Sequence, residues 1–231
     1  MRTLIVIPAR MASSRFPNKP MALIHGKPMI QRVWEQAVAS NLGDVIVACS
    51  ERDVSDRIIS LGGKAILTDP DLPSGTDRIF EAIKNKNNIN QFDSIINLQG
   101  DMPIIDPKHI IKVNTPLIQG FDIGTLVTDL IDNQVDNLNV TKVKIKWIKR
   151  NKIGQAFDFY KSTNEKQDNA YHHVGIYSFR YATLKKFVSL QPSVNEKDRK
   201  LEQWRALDAK MTIGVSYVKN IPISVDTKED L

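Results

Sequence analysis

Thr3-Leu4-Ile5-Val6-Ile7-Pro8-Ala9-Arg10-Met11-Ala12-Ser13-Ser14-Arg15-Phe16-Pro17-Asn18-Lys19-Pro20 joins an apolar, β-branched run to a polar, basic loop. Residues 3–8 read as a buried strand, and residues 9–20 as the loop that follows it. In open α/β sheets, ligands bind beyond the carboxyl ends of the strands, which is where this loop would lie. Arg10, Arg15 and Lys19 bring positive charge; Ser13, Ser14 and the loop backbone, Ala9 included, bring hydrogen-bond donors. That set suits a triphosphate. The chain has no G-x-G-x-x-G and no G-x-x-x-x-G-K-[ST], which disfavours a Rossmann dinucleotide site and a Walker loop.

Downstream, strand-like and helix-like patterns alternate. The sequence predicts a helix over 28–40 with Pro28 near its first turn, a buried strand over 44–49, and a helix over 53–62 that stops at Gly62-Gly63. A short strand follows at 64–67, then a helix over 76–86 with Thr76 as N-cap, a strand over 94–98 and a helix over 107–118 started by Pro107. Repeated strand–helix units imply a mostly parallel sheet with helices on both faces. After about residue 122 the pattern turns strand-rich, with runs at 123–128, 140–148, 172–179, 213–218 and 223–226 and a helix over 198–209. Residues 161–170 are polar and predict a mobile loop. No linker divides the chain, so the expectation is one α/β domain, a three-layer sandwich whose smaller lobe is strand-rich, with halves at about 1–122 and 123–231.

Composition narrows the class. The 231 residues are 42% hydrophobic and 25% charged, ordinary values for a soluble globular protein large enough for one sizeable core. The lone Cys49 lies in the apolar run Val45-Ile46-Val47-Ala48-Cys49; it cannot build a disulfide framework and points to a reducing, cytoplasmic setting. The N-terminal apolar stretch is short for a signal peptide, and no run approaches a membrane span. The net charge is +6. Its densest cluster, Lys142, Lys144, Lys146, Lys149, Arg150 and Lys152, begins by alternating with Val143, Ile145 and Trp147. This reads as the wet face of a half-buried strand rather than a nucleic-acid patch. An acidic small-molecule substrate suits the positive balance.

Three further segments carry chemistry. Pro73-Ser74-Gly75-Thr76-Asp77-Arg78 falls between a strand and a helix; Gly75 permits close backbone approach, and a helix start offers unpaired N–H groups. Leu98-Gln99-Gly100-Asp101 ends a buried strand, which places a carboxylate where Mg²⁺ could bridge to phosphates. His25 precedes Gly26 in an apparent turn, and with His172 reads as structural.

The opening loop resembles the signature I-P-A-R-x-x-S-[ST]-R-x-P-x-K-P of the CMP-sugar synthetases, and Gly26-Lys27-Pro28-Met29-Ile30 continues the match. The likeness is greatest to members that act on 3-deoxy-manno-octulosonate (Kdo). It implies the fold of nucleotide-diphospho-sugar transferases and transfer of CMP from CTP to an acidic sugar for lipopolysaccharide synthesis. It implies that Arg15, Lys19 and Asp101 are catalytic, and that Ala9, Arg10, Ser13, Ser14, Ser74, Gly75, Arg78 and Gln99 bind nucleotide. Ile223-Ser224-Val225-Asp226-Thr227-Lys228-Glu229-Asp230-Leu231 resembles V-D-T-x-E-D-L, which makes Asp226 a Mg²⁺ ligand beside Asp101. His173-Val174-Gly175-Ile176-Tyr177 resembles H-x-G-I-Y, and Lys200-Leu201-Glu202-Gln203-Trp204-Arg205-Ala206-Leu207 resembles K-L-E-Q-L-R-A-L. These put His173, Tyr177, Glu202 and Gln203 on the sugar, together with Gln99. The family's F-S-R appears as Phe159-Tyr160-Lys161, so Lys161 would meet the sugar carboxylate without a bidentate fork. The family's Q-G-D-E-P is Gln99-Gly100-Asp101-Met102-Pro103 here. A homodimer is also implied. Three other readings stay open: the same chemistry on an 8-amino-Kdo analogue or a nonulosonate, a guanylyltransferase acting on a cofactor, and a non-catalytic nucleotide-binding module.

Overall fold

The computed structural model describes residues 1–12, 16–150, 152–161, 170–220 and 222–231. Ser13, Ser14 and Arg15 lie outside the described residues, as does most of the segment 161–170 that the sequence marks as a mobile loop. The chain forms two compact units, Met1–Ile111 with Pro222–Leu231, and Lys112–Ile221.

The first unit is built on a parallel sheet. Its strands are β1 (Thr3–Ala9), β4 (Gly43–Cys49), β5 (Lys64–Leu67) and β6 (Ser94–Asn97), in the order β5-β4-β1-β6. β1 is central and buried along its whole length, as expected of a β-branched strand covered on both faces. Ile5 sits in register between Val45 and Ile96. A two-stranded ribbon, β2 (Leu23–Ile24) and β3 (Lys27–Pro28), turns through His25 and Gly26, with φ of 46° and 75°. Two successive positive φ values are what a primed hairpin turn requires. Helices α1 (Met29–Ala39), α2 (Arg52–Ser60) and α3 (Gly75–Ile83) pack on the sheet. Past the end of α2, Gly62 takes φ 80°. The N-cap of α3 is Ser74, not Thr76 as the sequence predicts: its Oγ accepts from the Thr76 and Asp77 N–H groups, both at 3.1 Å. That capping contributes about 1 kcal/mol.

Beyond β6 the single helix expected over 107–118 is two, α4 (Pro107–Lys112) and α5 (Thr115–Ile118). Pro116 is the cause: it has no N–H and its ring clashes with the preceding turn, so it is accommodated only at the start of a new helix. Among the described residues, 223–226 join no ladder; the Val225 N–H donates to the Asp101 carbonyl at 2.9 Å.

The second unit is strand-rich. β7 (Ile123–Asp129), α6 (Asp132–Val135), β8 (Lys142–Lys149), β9 (Ile153–Tyr160), β10 (Ala170–Phe179), α7 (Tyr181–Ser189), α8 (Val194–Arg199), α9 (Gln203–Asp208) and β11 (Ile213–Tyr217) follow one another. The strands pair in the order β10-β7-β11-β9-β8, and β8 also pairs with β10, so the pairing closes into a ring. Only β7 and β11 are parallel. The sequence reading missed β9 and α7. The helix expected over 198–209 breaks at Lys200, which takes the left-handed conformation at φ 54°. The wet lysine face also fails at its first member: Lys142 is fully buried. Register shifts at Lys144/Ile145 and Trp147/Lys149 break the two-residue alternation of β8.

Candidate active site

At the carboxyl ends of β1 and β6, a cavity of about 220 Å³ is lined by Pro8, Ala9, Arg10, Lys19, Pro20, Gly75, Arg78, Gln99, Gly100, Asp101 and Asp226. Its centre is an ionic knot. Lys19 Nζ lies 3.2 Å from Asp101 Oδ2 and 3.9 Å from Asp226 Oδ1, and it donates to the Val225 carbonyl at 2.8 Å. Side chains from positions 19, 101 and 226 are thus brought to one point.

A small apolar anchor makes that convergence possible. Phe16, Met29 and Val225 form a buried cluster, with Ala22 and Ile24 packed against it. Phe16 fastens the loop that carries Lys19, and Val225 fastens the segment that carries Asp226. The base of the loop is closed by the Asn18 N–H on the Met11 carbonyl at 3.0 Å. The Glu51 carboxylate accepts from the Met11 N–H at 3.1 Å. Phe16, Val225 and Glu51 were not singled out in the sequence. The available signal was one aromatic residue inside a polar loop and one valine beside Asp226.

The glycines permit close approach. A Cβ on Gly100 would stand 2.8 Å from the Pro8 carbonyl, and one on Gly75 would stand 3.3 Å from Pro8 Cγ. Gln99 donates from Nε2 to Asn97 Oδ1 at 2.9 Å, and Asn97 donates to Thr76 Oγ1 at 3.3 Å. Arg78 is 1% exposed. Its guanidinium donates to Thr68 Oγ1 at 2.6 Å and to the carbonyls of Asp69 and Pro70 at 3.0 and 3.2 Å, so it fixes one wall of the cavity. Ser74 does not line the cavity; its hydroxyl is spent on capping α3 and on donating to Asp77 at 2.7 Å. Burial raises the Asp101 pKa, Lys19 opposes that, and the Asp226 charge adds to it.

The cavity's own chemistry therefore includes an excess of carboxylate over ammonium at the knot: two Asp for one Lys. Hard oxygen donors with surplus negative charge fit Mg²⁺, which commonly takes one or two carboxylates and completes its shell with substrate phosphates. Among the described residues no group of three or more His, Cys, Asp and Glu could hold a metal by itself.

In the second unit, Phe159, His173, Tyr177 and Gln203 form a cluster. His173 stands edge-on to Phe159 and tilted against Tyr177, with ring centroids 5.2 and 5.5 Å apart. Gln203 Nε2 donates to the Tyr177 hydroxyl at 2.6 Å. Burial, then the Glu202 charge, pushes that hydroxyl's pKa upward. His173 is 5% exposed, and its Nε2 meets Thr125 Oγ1 at 2.9 Å. Thr125 spends its proton on the carbonyls of Val174 and Ile176, which assigns the proton of the contact to His173 Nε2. His173 thus serves the core through that nitrogen.

Burial, then the neighbouring His172, lowers the His173 pKa to about 3. An unfolded histidine titrates near 6.5. Below that pH the unfolded chain takes up a proton that the folded chain refuses, so stability falls as pH drops from about 6.5 toward the folded value. The slope is about 1.4 kcal/mol per pH unit for this one group. His173→Gln should flatten the acid limb of a melting-temperature profile between about pH 6.5 and 5; parallel profiles for the two proteins would show that His173 contributes nothing to it.

Residues 4–213 match the family described as Cytidylyltransferase. The chain belongs to the cytidylyltransferase family. It is 44% identical over 231 residues to the 3-deoxy-manno-octulosonate cytidylyltransferase of Paramagnetospirillum magneticum, covering 99% of this chain and 94% of that one. The protein of the same name from Brucella suis is 41% identical over 234 residues, covering 100% and 93%. Among solved structures, CMP:2-keto-3-deoxy-manno-octonic acid synthetase complexed with CTP superposes with a TM-score of 0.88 at 32% identity, covering 99% of this chain and 95% of that one. A UDP-glucose pyrophosphorylase complexed with UDP-glucose reaches a TM-score of 0.69 at 14% identity, covering 100% and 96%, which shows a shared fold. No helix among the described residues of this cytidylyltransferase is long and apolar enough to cross a membrane.

Proposed function

We propose that this cytidylyltransferase transfers CMP from CTP to the anomeric hydroxyl of Kdo, giving CMP-Kdo and pyrophosphate for lipopolysaccharide synthesis. The observation that carries the reading is the meeting of Lys19, Asp101 and Asp226 in one strand-end cavity. Relatives matched along nearly the whole chain are named for the same reaction.

In this reading the triphosphate lies over the cavity floor formed by Pro8–Arg10 and Gln99–Asp101. Lys19, with Arg10 and Arg15, neutralises phosphate charge as pyrophosphate departs, and phosphoryl chemistry depends mainly on such positioning and charge. Gly75 lets the nucleotide approach the start of α3. Asp101 and Asp226 hold Mg²⁺. When bound, the ion supplies Lewis-acid polarisation of the phosphate under attack. Tyr177, Glu202, Gln203, Lys161 and Gln99 address the sugar, and His173 supports Tyr177 by packing. The single buried Cys49 suits a reducing compartment, and the enzyme is assigned to the cytoplasm as a homodimer.

The test is pyrophosphate release from CTP, with Mg²⁺ present, against a panel of Kdo, 8-amino-Kdo and nonulosonates. Kdo should give a kcat/KM at least tenfold above the others. A higher value with another acidic sugar would move the assignment to that sugar. No release with any of them would reject the transferase reading.

A further inference from the structure

Lys142 is a lysine with no water contact. It lies on β8, in cross-strand register with Tyr160 on β9 and His172 on β10, and its exposure is 0%. Its ammonium donates to two neutral carbonyls, Asn137 at 2.6 Å and Lys161 at 2.8 Å. Among the described residues it makes no ion pair with a carboxylate within 4.0 Å. Burial lowers its pKa, and the Asp136 charge opposes that only in part.

Stability alone does not account for a charge in this place. Withdrawing an ammonium from water costs several kcal/mol, and neutral carbonyls recover part of that. A methionine would fill the same space without the charge. What the ammonium adds is a tie between two segments. The ladder of β9 with β11 ends at Ala156, and beyond it Asp158, Phe159 and Tyr160 are paired by β8. Side chains then take over its carbonyls: Trp204 Nε1 donates to the Phe159 carbonyl at 2.8 Å, and Lys142 donates to that of Lys161. The strand end that presents Lys161 is therefore fastened by a buried cation.

We propose that Lys142 is a positioning residue for the acceptor sugar: by holding the Lys161 carbonyl against the 137 segment, it sets the Lys161 side chain to meet the sugar's carboxylate. This rests on the CMP-transfer reading given above. The fastening compensates for the flexible lysine that stands where a rigid guanidinium would pair by itself.

The test varies CTP and Kdo in turn for the wild-type chain and for Lys142→Met. The KM for Kdo should rise about tenfold while the KM for CTP stays within about twofold and the melting temperature does not fall. In Lys161→Met the KM for Kdo should rise as well, and adding Lys142→Met to it should change little, because the two act as one unit. Equal changes in both KM values, or full additivity with Lys161→Met, would overturn the proposal. Should Lys142→Met fail to fold, Lys142→Gln keeps N–H donors without the charge and takes the same assays; failure of both to fold would assign Lys142 to the core and overturn it as well. A wild-type chain that forms no CMP-Kdo sinks the reaction and this inference together. An active wild-type with an unmoved Kdo KM in the variant sinks only the role of Lys142.

Discussion

Lys19→Met should lower kcat for pyrophosphate release by about a thousandfold, with the circular dichroism of the folded chain retained. The magnitude follows from what one preorganised cation at a transferring phosphate supplies, about 10³ or more in rate. Three contacts are lost at once: the 3.2 Å bond to Asp101, the 3.9 Å pairing with Asp226 and the 2.8 Å bond to the Val225 carbonyl. The Lys19 side chain is 16% exposed, so solvent does little to screen the two carboxylates that remain facing each other. CTP binding should weaken as well, because the triphosphate would meet Asp101 and Asp226 without the ammonium that stands between them. Lys19→Arg should recover part of the loss by keeping the charge, though not the point geometry. A Lys19→Met enzyme within about tenfold of wild-type kcat would place the decisive cation elsewhere.

The parallel half of the fold was legible because its signals are local. β1, β4 and β5 are apolar runs punctuated by Gly62-Gly63 and Pro28, and their bounds fall within a residue or so of the expected ones. The strand-rich unit was less so. β9 reads Ile153-Gly154-Gln155-Ala156-Phe157-Asp158-Phe159-Tyr160, with too many small or polar members to stand out. Its strand state is set by neighbours on both sides, β8 and β11, which no local pattern reports. The same holds for Lys142, which is buried where β8 has a strand on each side, β9 at Tyr160 and β10 at His172.

The site divides in the same way. Lys19, Asp101 and Asp226 could be named from residue type and motif, and Gly75 and Gln99 from their places at strand ends and helix starts. Their convergence was expected through the resemblance alone, which set Asp226 beside Asp101; no local pattern reports the packing that accompanies it, that of Phe16, Met29 and Val225 across positions far apart in the chain. Ser74 shows the opposite case. Its hydroxyl suits a ligand by type, yet the nearest unpaired N–H groups belong to its own helix and claim it first.

Asp101→Asn should cut kcat by two to three orders of magnitude, about 10²–10³, and at the same time should not destabilise the chain. The two effects have opposite signs for one reason. Burial and the Asp226 charge both disfavour the ionised form of Asp101; Lys19 and a backbone hydrogen bond favour it, and the net shift is upward. A carboxylate in that position is a cost to the fold, and a neutral isostere relieves it. In a metal-chelated buffer the variant's melting temperature should therefore equal or exceed that of the wild type. Adding Mg²⁺ with CTP should then raise the wild-type value and leave the variant's nearly unmoved, since ligand binding stabilises only the state that binds. That second readout separates loss of a cation ligand from simple damage to the cavity. Asp101→Asn with a lowered melting temperature in chelator would mean that the bond to Lys19 is chiefly structural. Asp101→Asn with near-normal turnover at saturating Mg²⁺ would remove Asp101 from the metal site altogether.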